Sequence, residues 1–256
     1  MVAQCGGETR PRRGPNPESP QSFMIDTIAF DADDTLWHNE HLYSLTQEKF
    51  KRLLAPFQDA ATIERRLYAT EMRNLAFFGY GIKGFTLSMI ETAIDLTEGR
   101  VGAHEIRQII DFARDMVRAP VELLPGVRET IASLSASYRL MVITKGDLFD
   151  QESKIARSGI ADYFQHIEIV SEKTPETYAA VMRRYHIEPP RFLMVGNSLK
   201  SDILPVVAVG GNAVYIPYHL TWEHERVTDE GVNAGGYVTV SRISELPAWL
   251  ARLSAI

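Results

Sequence analysis

The sequence predicts an α/β protein: a doubly wound, Rossmann-like parallel sheet, with an all-helical domain inserted after the first strand. Three observations predict it. A short apolar run, Thr27 to Phe30, stops abruptly at Asp31-Ala32-Asp33-Asp34-Thr35. From about His41 to Ala119 apolar residues recur at helical spacing, without a convincing strand. After Leu124-Pro125-Gly126, short strand-like runs alternate with helical ones, the pattern of repeated βαβ units.

Taken in order, Thr27 to Phe30 reads as a buried strand that delivers carboxylates to its C-terminal edge. The helical block carries Leu45, Phe50, Leu53 and Leu54, then Ile63, Leu67 and Met72, then Leu87, Ile90 and Ile94, each set on one helical face. Four further strands are expected at Leu140 to Ile143, Ile167 to Val170, Phe192 to Val195 and Ala213 to Ile216. Helices are expected at about Val127 to Ser135, Leu148 to Ser158, Pro175 to Tyr185 and Lys200 to Val209. The expected division is therefore residues 24–37 and 121–256 for the α/β core and 38–120 for the helical domain. Residues 1–23, rich in Gly, Pro, Arg and Ser, contain no apolar run of signal-peptide type and are expected to be a disordered tail.

The chain has 256 residues, 45% hydrophobic and 23% charged, which excludes disorder for most of its length. Lys plus Arg is 27 against 33 Asp plus Glu, a net charge of −6, which argues against gripping nucleic acid and for a small partner. A single cysteine, Cys5, excludes an intrachain disulfide and a multi-cysteine metal site, and a cytoplasmic location is expected. The uncharged stretch Ile203 to Leu220 is broken by Pro205, Gly210, Gly211, Asn212 and Pro217, so no membrane span is expected.

Open α/β sheets bind ligands beyond the carboxyl ends of their strands. There this sequence carries Asp31 with Asp33, Thr144 with Lys145, Lys173 after the third strand, and Asn197 with Asp202 after the fourth. Crowded carboxylates repel by roughly 4 kcal/mol per pair at 4 Å with an effective dielectric near 20, so Asp31, Asp33 and Asp202 need a cation. Hard oxygen ligands without His or Cys favour Mg²⁺. A lysine and a threonine hydroxyl beside it supply what a transferring phosphoryl group needs.

The segment Ile28-Ala29-Phe30-Asp31-Ala32-Asp33-Asp34-Thr35-Leu36 resembles the first motif of the haloacid dehalogenase superfamily, apolar residues followed by Asp-x-Asp-x-Thr. Met141-Val142-Ile143-Thr144 is similar to its second motif, Lys173-Thr174-Pro175-Glu176 to its third, and Val195-Gly196-Asn197-Ser198 through Asp202 to its fourth. The helical insertion resembles the helical-cap subclass. The resemblance implies a phosphatase in which Asp31 attacks phosphorus to form an aspartyl-phosphate and Asp33 serves as general acid, then base. It further implies that Thr144 and Lys173 hold the phosphoryl oxygens, and that Asp31, Asp202, Asn197 and the backbone carbonyl of Asp33 hold Mg²⁺. Asn197 departs from the aspartate common at its place, which lowers the ligand charge. The expected substrate is a small phosphorylated metabolite. A phosphomutase uses the same intermediate and stays open. A haloacid dehalogenase is disfavoured by Asp33, and a non-catalytic binding module by the presence of every reacting group.

Gly79-Tyr80-Gly81-Ile82-Lys83-Gly84 matches the dinucleotide-binding fingerprint, yet the preceding segment is helical, so a flexible loop between two helices is expected instead. Tyr80 and Lys83, with Lys145, are candidate contacts to the substrate. An EF-hand at Asp31 fails because Leu36 and Leu42 stand where Gly and Glu are required. The seven histidines show no metal spacing, and Trp37 and Trp222 are expected only as packing residues.

Overall fold

The computed structural model of the chain describes residues 25–220, 222–225 and 236–253, so the expected tail lies outside the described residues. Strands β1 (Thr27–Phe30), β2 (Arg139–Lys145), β3 (His166–Val170), β4 (Phe192–Gly196), β5 (Asn212–Tyr215) and β6 (Val238–Thr239) form one sheet in the order β3-β2-β1-β4-β5-β6. Every pairing is parallel. The order reverses direction at β1, and the crevice between the carboxyl ends of β1 and β4 is the switch point at which such sheets bind ligands.

Parallel strands covered on both faces need apolar residues at both parities. Here Ile28, Phe30, Leu140, Val142, Leu193 and Val195 pack on one face. Ala29, Met141, Ile143, Phe192 and Met194 pack on the other. Helices α5 (Val127–Ser135), α6 (Leu148–Arg157) and α9 (Leu246–Leu253) bury Val127, Ile131, Ile155, Leu246 and Leu250 against the first face. Helices α7 (Pro175–Arg184) and α8 (Leu204–Ala208) bury Tyr178, Val181 and Val206 against the second.

Between β1 and α5 run α1 (Glu40–Leu54), α2 (Ala60–Phe78), α3 (Ile82–Leu96) and α4 (Ala103–Arg118). They have their own core of Phe50, Leu54, Ile63, Leu67, Phe85, Met89, Ile109 and Met116. No helix among the described residues is long and apolar enough to cross a membrane.

Three expectations are corrected. The sheet has a sixth strand, β6, which is too short to show a period in sequence. The segment expected as one helix from Lys200 splits into a π turn, Leu199–Ile203, followed by α8. Pro205 has no N–H to donate to the Ser201 carbonyl, and the Tyr178 hydroxyl donates to it instead at 3.0 Å. The expected glycine-rich loop is confined to Gly79–Gly81: α3 begins at Ile82, and Gly84 lies inside it.

Candidate active site

β1 ends at Phe30, so Asp31 is the first residue past the switch point, where its N–H still donates to Val195 O of β4 at 2.9 Å. Beyond it the chain turns sharply, with Asp34 in the left-handed region at φ 62°. The Asp34 carboxylate then accepts from the backbone N–H groups of Asn39 (2.8 Å) and Glu40 (3.0 Å), capping α1 and anchoring the helical unit to the sheet edge.

Lys173 is set by the start of α7. Thr174 caps that helix by accepting from Thr177 N, and Pro175 takes its first position. Lys173 is thereby held just outside the helix, its side chain 1% exposed. Its ammonium donates to Asp31 Oδ1 at 2.5 Å and to Asp202 Oδ1 at 2.6 Å. Asp202 Oδ2 accepts from Ser198 N at 2.9 Å, and its carboxylate fills the space a side chain at Gly196 would occupy. Burial pushes the Asp31 carboxyl up to about 7, with Lys173 pulling it down and Asp202 adding to the rise. Burial likewise opposes the Lys173 charge, but Asp202 and Asp31 outweigh it and hold the ammonium well above the usual lysine value.

Thr35 Oγ1 lies 3.0 Å from Asp31 Oδ2 and 3.2 Å from Asn197 Oδ1, bringing those two oxygens into one neighbourhood. Asp31, Asn197 and Asp202 thus offer a set of side-chain oxygens at the switch point. Among the described residues no three His, Cys, Asp or Glu side chains form a ready-made metal cluster, so any dication held there takes two carboxylates with neutral oxygens. That hard, weakly charged set fits Mg²⁺ better than a transition metal.

Asp33 also lines the cleft. Its carboxylate accepts from Trp37 Nε1 (2.7 Å), Gln151 Nε2 (2.9 Å) and Lys154 Nζ (2.8 and 2.9 Å). These donors hold the Asp33 side chain in place at the cleft wall. Trp37, expected only to pack, is both buried and a positioning donor. Gln151 and Lys154 project from one face of α6, more than a hundred residues from Asp33, and nothing local in the sequence marks them. Burial works against the Lys154 charge, but Asp33 and Asp150 more than offset it and raise its value.

Thr144, near the end of β2, is 1% exposed, lines the cleft and accepts from Gln151 Nε2 at 3.3 Å. Lys145 donates to Ser201 Oγ (2.9 Å) and Glu225 Oε1 (2.6 Å), and its ammonium sits 4.3 Å from the centre of the Tyr80 ring. Tyr80 reaches the cleft and donates to Glu172 at 2.6 Å. Trp222, given no role by the sequence, stands edge-on to Tyr80 at the same wall. Lys83 does not join them. Near the start of α3 it pairs with Asp147, the cap of α6, at 3.0 Å, with its side chain 68% exposed and outside the cleft lining.

A buried carboxylate paired with a buried lysine thus stands at the switch point of a parallel sheet, beside a helical unit. The family profile for haloacid dehalogenase-like hydrolases matches residues 25–210, and the chain belongs to that family. It is 42% identical to a haloacid dehalogenase-like family hydrolase of known structure from Xanthomonas campestris, covering 93% of this chain and 95% of that one with a TM-score of 0.81. It is 24% identical over 236 residues to a glyceraldehyde 3-phosphate phosphatase from Methanothermobacter thermautotrophicus, covering 87% of this chain and all of that relative. A glyceraldehyde 3-phosphate phosphatase from Pyrococcus abyssi is 33% identical over 101 residues, 37% of this chain, and the match spans 42% of that relative's length.

Proposed function

We propose that this hydrolase is a Mg²⁺-dependent phosphatase acting on a small phosphorylated metabolite, with residues 38–120 serving as its cap. The observation that carries the reading is Asp33, a second carboxylate in the cleft two residues beyond Asp31. Expelling an alkoxide from phosphorus needs a proton donor, whereas expelling halide from carbon does not. The phosphatase names of the Pyrococcus abyssi and Methanothermobacter thermautotrophicus relatives support the same choice.

Asp31 Oδ attacks phosphorus, the phosphorus–oxygen ester bond breaks, and the leaving oxygen takes a proton from Asp33. Asp33 then removes a proton from water, whose oxygen attacks the acyl-phosphate, releasing inorganic phosphate and restoring Asp31. Lys173 compensates charge on Asp31 and on the phosphoryl oxygens, to which Thr144 donates a hydrogen bond. Trp37, Gln151 and Lys154 orient Asp33. Asp31, Asn197, Asp202 and the Asp33 carbonyl would hold Mg²⁺, which would supply charge neutralisation at the transferring group.

The test is phosphate release from an aryl phosphate with and without Mg²⁺, beside Asp31→Asn. Metal-dependent release, reduced by about 10³-fold or more in the variant, is expected. Release that persists in Asp31→Asn refutes the assigned nucleophile. Glyceraldehyde 3-phosphate is the first metabolite to assay, from the names of the relatives.

A further inference from the structure

The cleft has two walls of different electrostatic character. On the sheet side most cleft carboxylates meet a lysine: Asp31 and Asp202 share Lys173, Asp33 and Asp150 share Lys154, and Glu225 has Lys145, while Asp34 accepts from two backbone N–H groups instead. On the helical side the cleft is lined by Glu40, Tyr43, Glu71, Asn74 and Ser88. Neither Glu40 nor Glu71 makes an ion pair among the described residues.

Glu71 is the sharper case. It lies within α2, only 9% exposed, and its Oε1 is enclosed with no hydrogen-bond partner among the described residues. The nearby amide donor is spent elsewhere, since Asn74 Nδ2 donates to Ser88 Oγ (3.1 Å) and Glu91 Oε2 (2.8 Å). Glu40 stands at the first position of α1, where the helix dipole favours a negative charge, but Glu71 has no such support. A buried carboxylate without a partner is costly, and native proteins rarely keep one without a use.

We infer that Glu71, assisted by Glu40, forms a subsite for an ammonium group carried by the leaving moiety of the phosphate ester. The inference rests on the phosphatase reading above and names its substrate class: phosphate monoesters of amino alcohols. A neutral hydroxyl brings one donor and nothing that lets the two acids ionise. An ammonium brings three donors and the missing positive charge. A metal ion is a poorer occupant, because no three acidic, His or Cys side chains are gathered there among the described residues. Burial pushes Glu71 up to about 7, and burial with repulsion from Asp34 and Glu71 pushes Glu40 to about 8, so both resist ionising while no cation is beside them.

The test compares a series of ω-aminoalkyl phosphates with n-alkyl phosphates of the same heavy-atom count, reading kcat/KM from phosphate release. At the length that spans the cleft, the amino ester is expected to exceed its alkyl partner, and glyceraldehyde 3-phosphate, by about tenfold or more. In Glu71→Gln the amino-to-alkyl ratio is expected to fall to about one, and in Glu40→Gln to fall part of the way. Alkyl esters that match the amino esters at every length in the wild-type protein overturn the inference, as does a ratio unchanged in Glu71→Gln. If no phosphate ester of any kind is hydrolysed, the phosphatase reading fails separately. Calorimetric binding of the same pairs then decides: preference for the amino member that Glu71→Gln removes supports the subsite, and equal affinity overturns it.

Discussion

Replacing Gly196 by alanine probes the active site where β4 and the π turn approach most closely. An alanine Cβ there would stand 2.2 Å from Asp202 Oδ2, 2.4 Å from its Cγ and 2.6 Å from its Cβ. All three contacts are on one side chain, 1% exposed, so relief requires moving the whole Asp202 carboxylate. That carboxylate is pinned by Lys173 at 2.6 Å and by Ser198 N at 2.9 Å. Hydrogen bonds to charged groups are worth about 1.5–3 kcal/mol each, so losing both costs about 3–6 kcal/mol. Such a loss is a large part of the roughly 5–15 kcal/mol that stabilises a typical domain. Gly102→Ala is the control, since its Cβ meets only the Glu105 carboxyl end, which can swing away, and about 1 kcal/mol or less is expected at that helix N-cap. Urea unfolding measures both variants, and phosphate release in saturating Mg²⁺ reports whether Lys173 still holds Asp31. If Gly196→Ala unfolds within about 1 kcal/mol of the parent and keeps its activity, the packing of Asp202 over Gly196 does not organise the site.

Lys173→Met leaves the Asp31 and Asp202 carboxylates buried without their shared cation. A loss of about 3–5 kcal/mol in urea unfolding is expected, with turnover down by about 10²-fold or more, and parental stability would count against the buried pair. Trp37→Phe keeps most of the packing but removes the indole donor from Asp33. Hydrolysis of an alkyl phosphate, which needs the acid, should therefore fall several-fold more than that of an aryl phosphate, and equal losses would show that Trp37 only packs. Glu225 faces burial that opposes its charge, but Lys145 and the Ser198 and Ser201 hydroxyls hold it at about 2, below its ordinary 4.5. Its contribution is then complete above about pH 4.5 and lost as the pH falls toward about 2. Glu225→Gln should accordingly cost about 3 kcal/mol at pH 7 and less than half of that at pH 3, whereas a pH-independent difference contradicts the assignment.

How much of the site is legible in the sequence depends on the range of the interaction concerned. Asp31 could be read because an apolar run followed at once by Asp-x-Asp-x-Thr is local, and a strand end is where such a run must stop. Lys173 could be read only together with the other strand-end residues and through the motif it resembles, since by itself a lysine there reads as a surface residue. The polar partners are different. Gln151 and Lys154 on α6, Trp37 beyond the first turn, and Glu225 after β5 look like ordinary residues until the sheet brings them to Asp33 and Lys145. Tyr80 and Lys83, three residues apart on one short segment, divide between cleft and solvent, a choice made by packing and not by composition.

By itself the sequence determined the parallel sheet, the helical insertion and the carboxylates and lysine at the strand ends, because these follow from hydrophobic period, turn residues and helix caps acting over a few residues. Only the tertiary structure decided which donors orient Asp33, why Gly196 must lack a side chain, and that Glu71 Oε1 has no hydrogen-bond partner among the described residues. Those outcomes depend on which side chains meet across distant parts of the chain, and on how much water the meeting excludes.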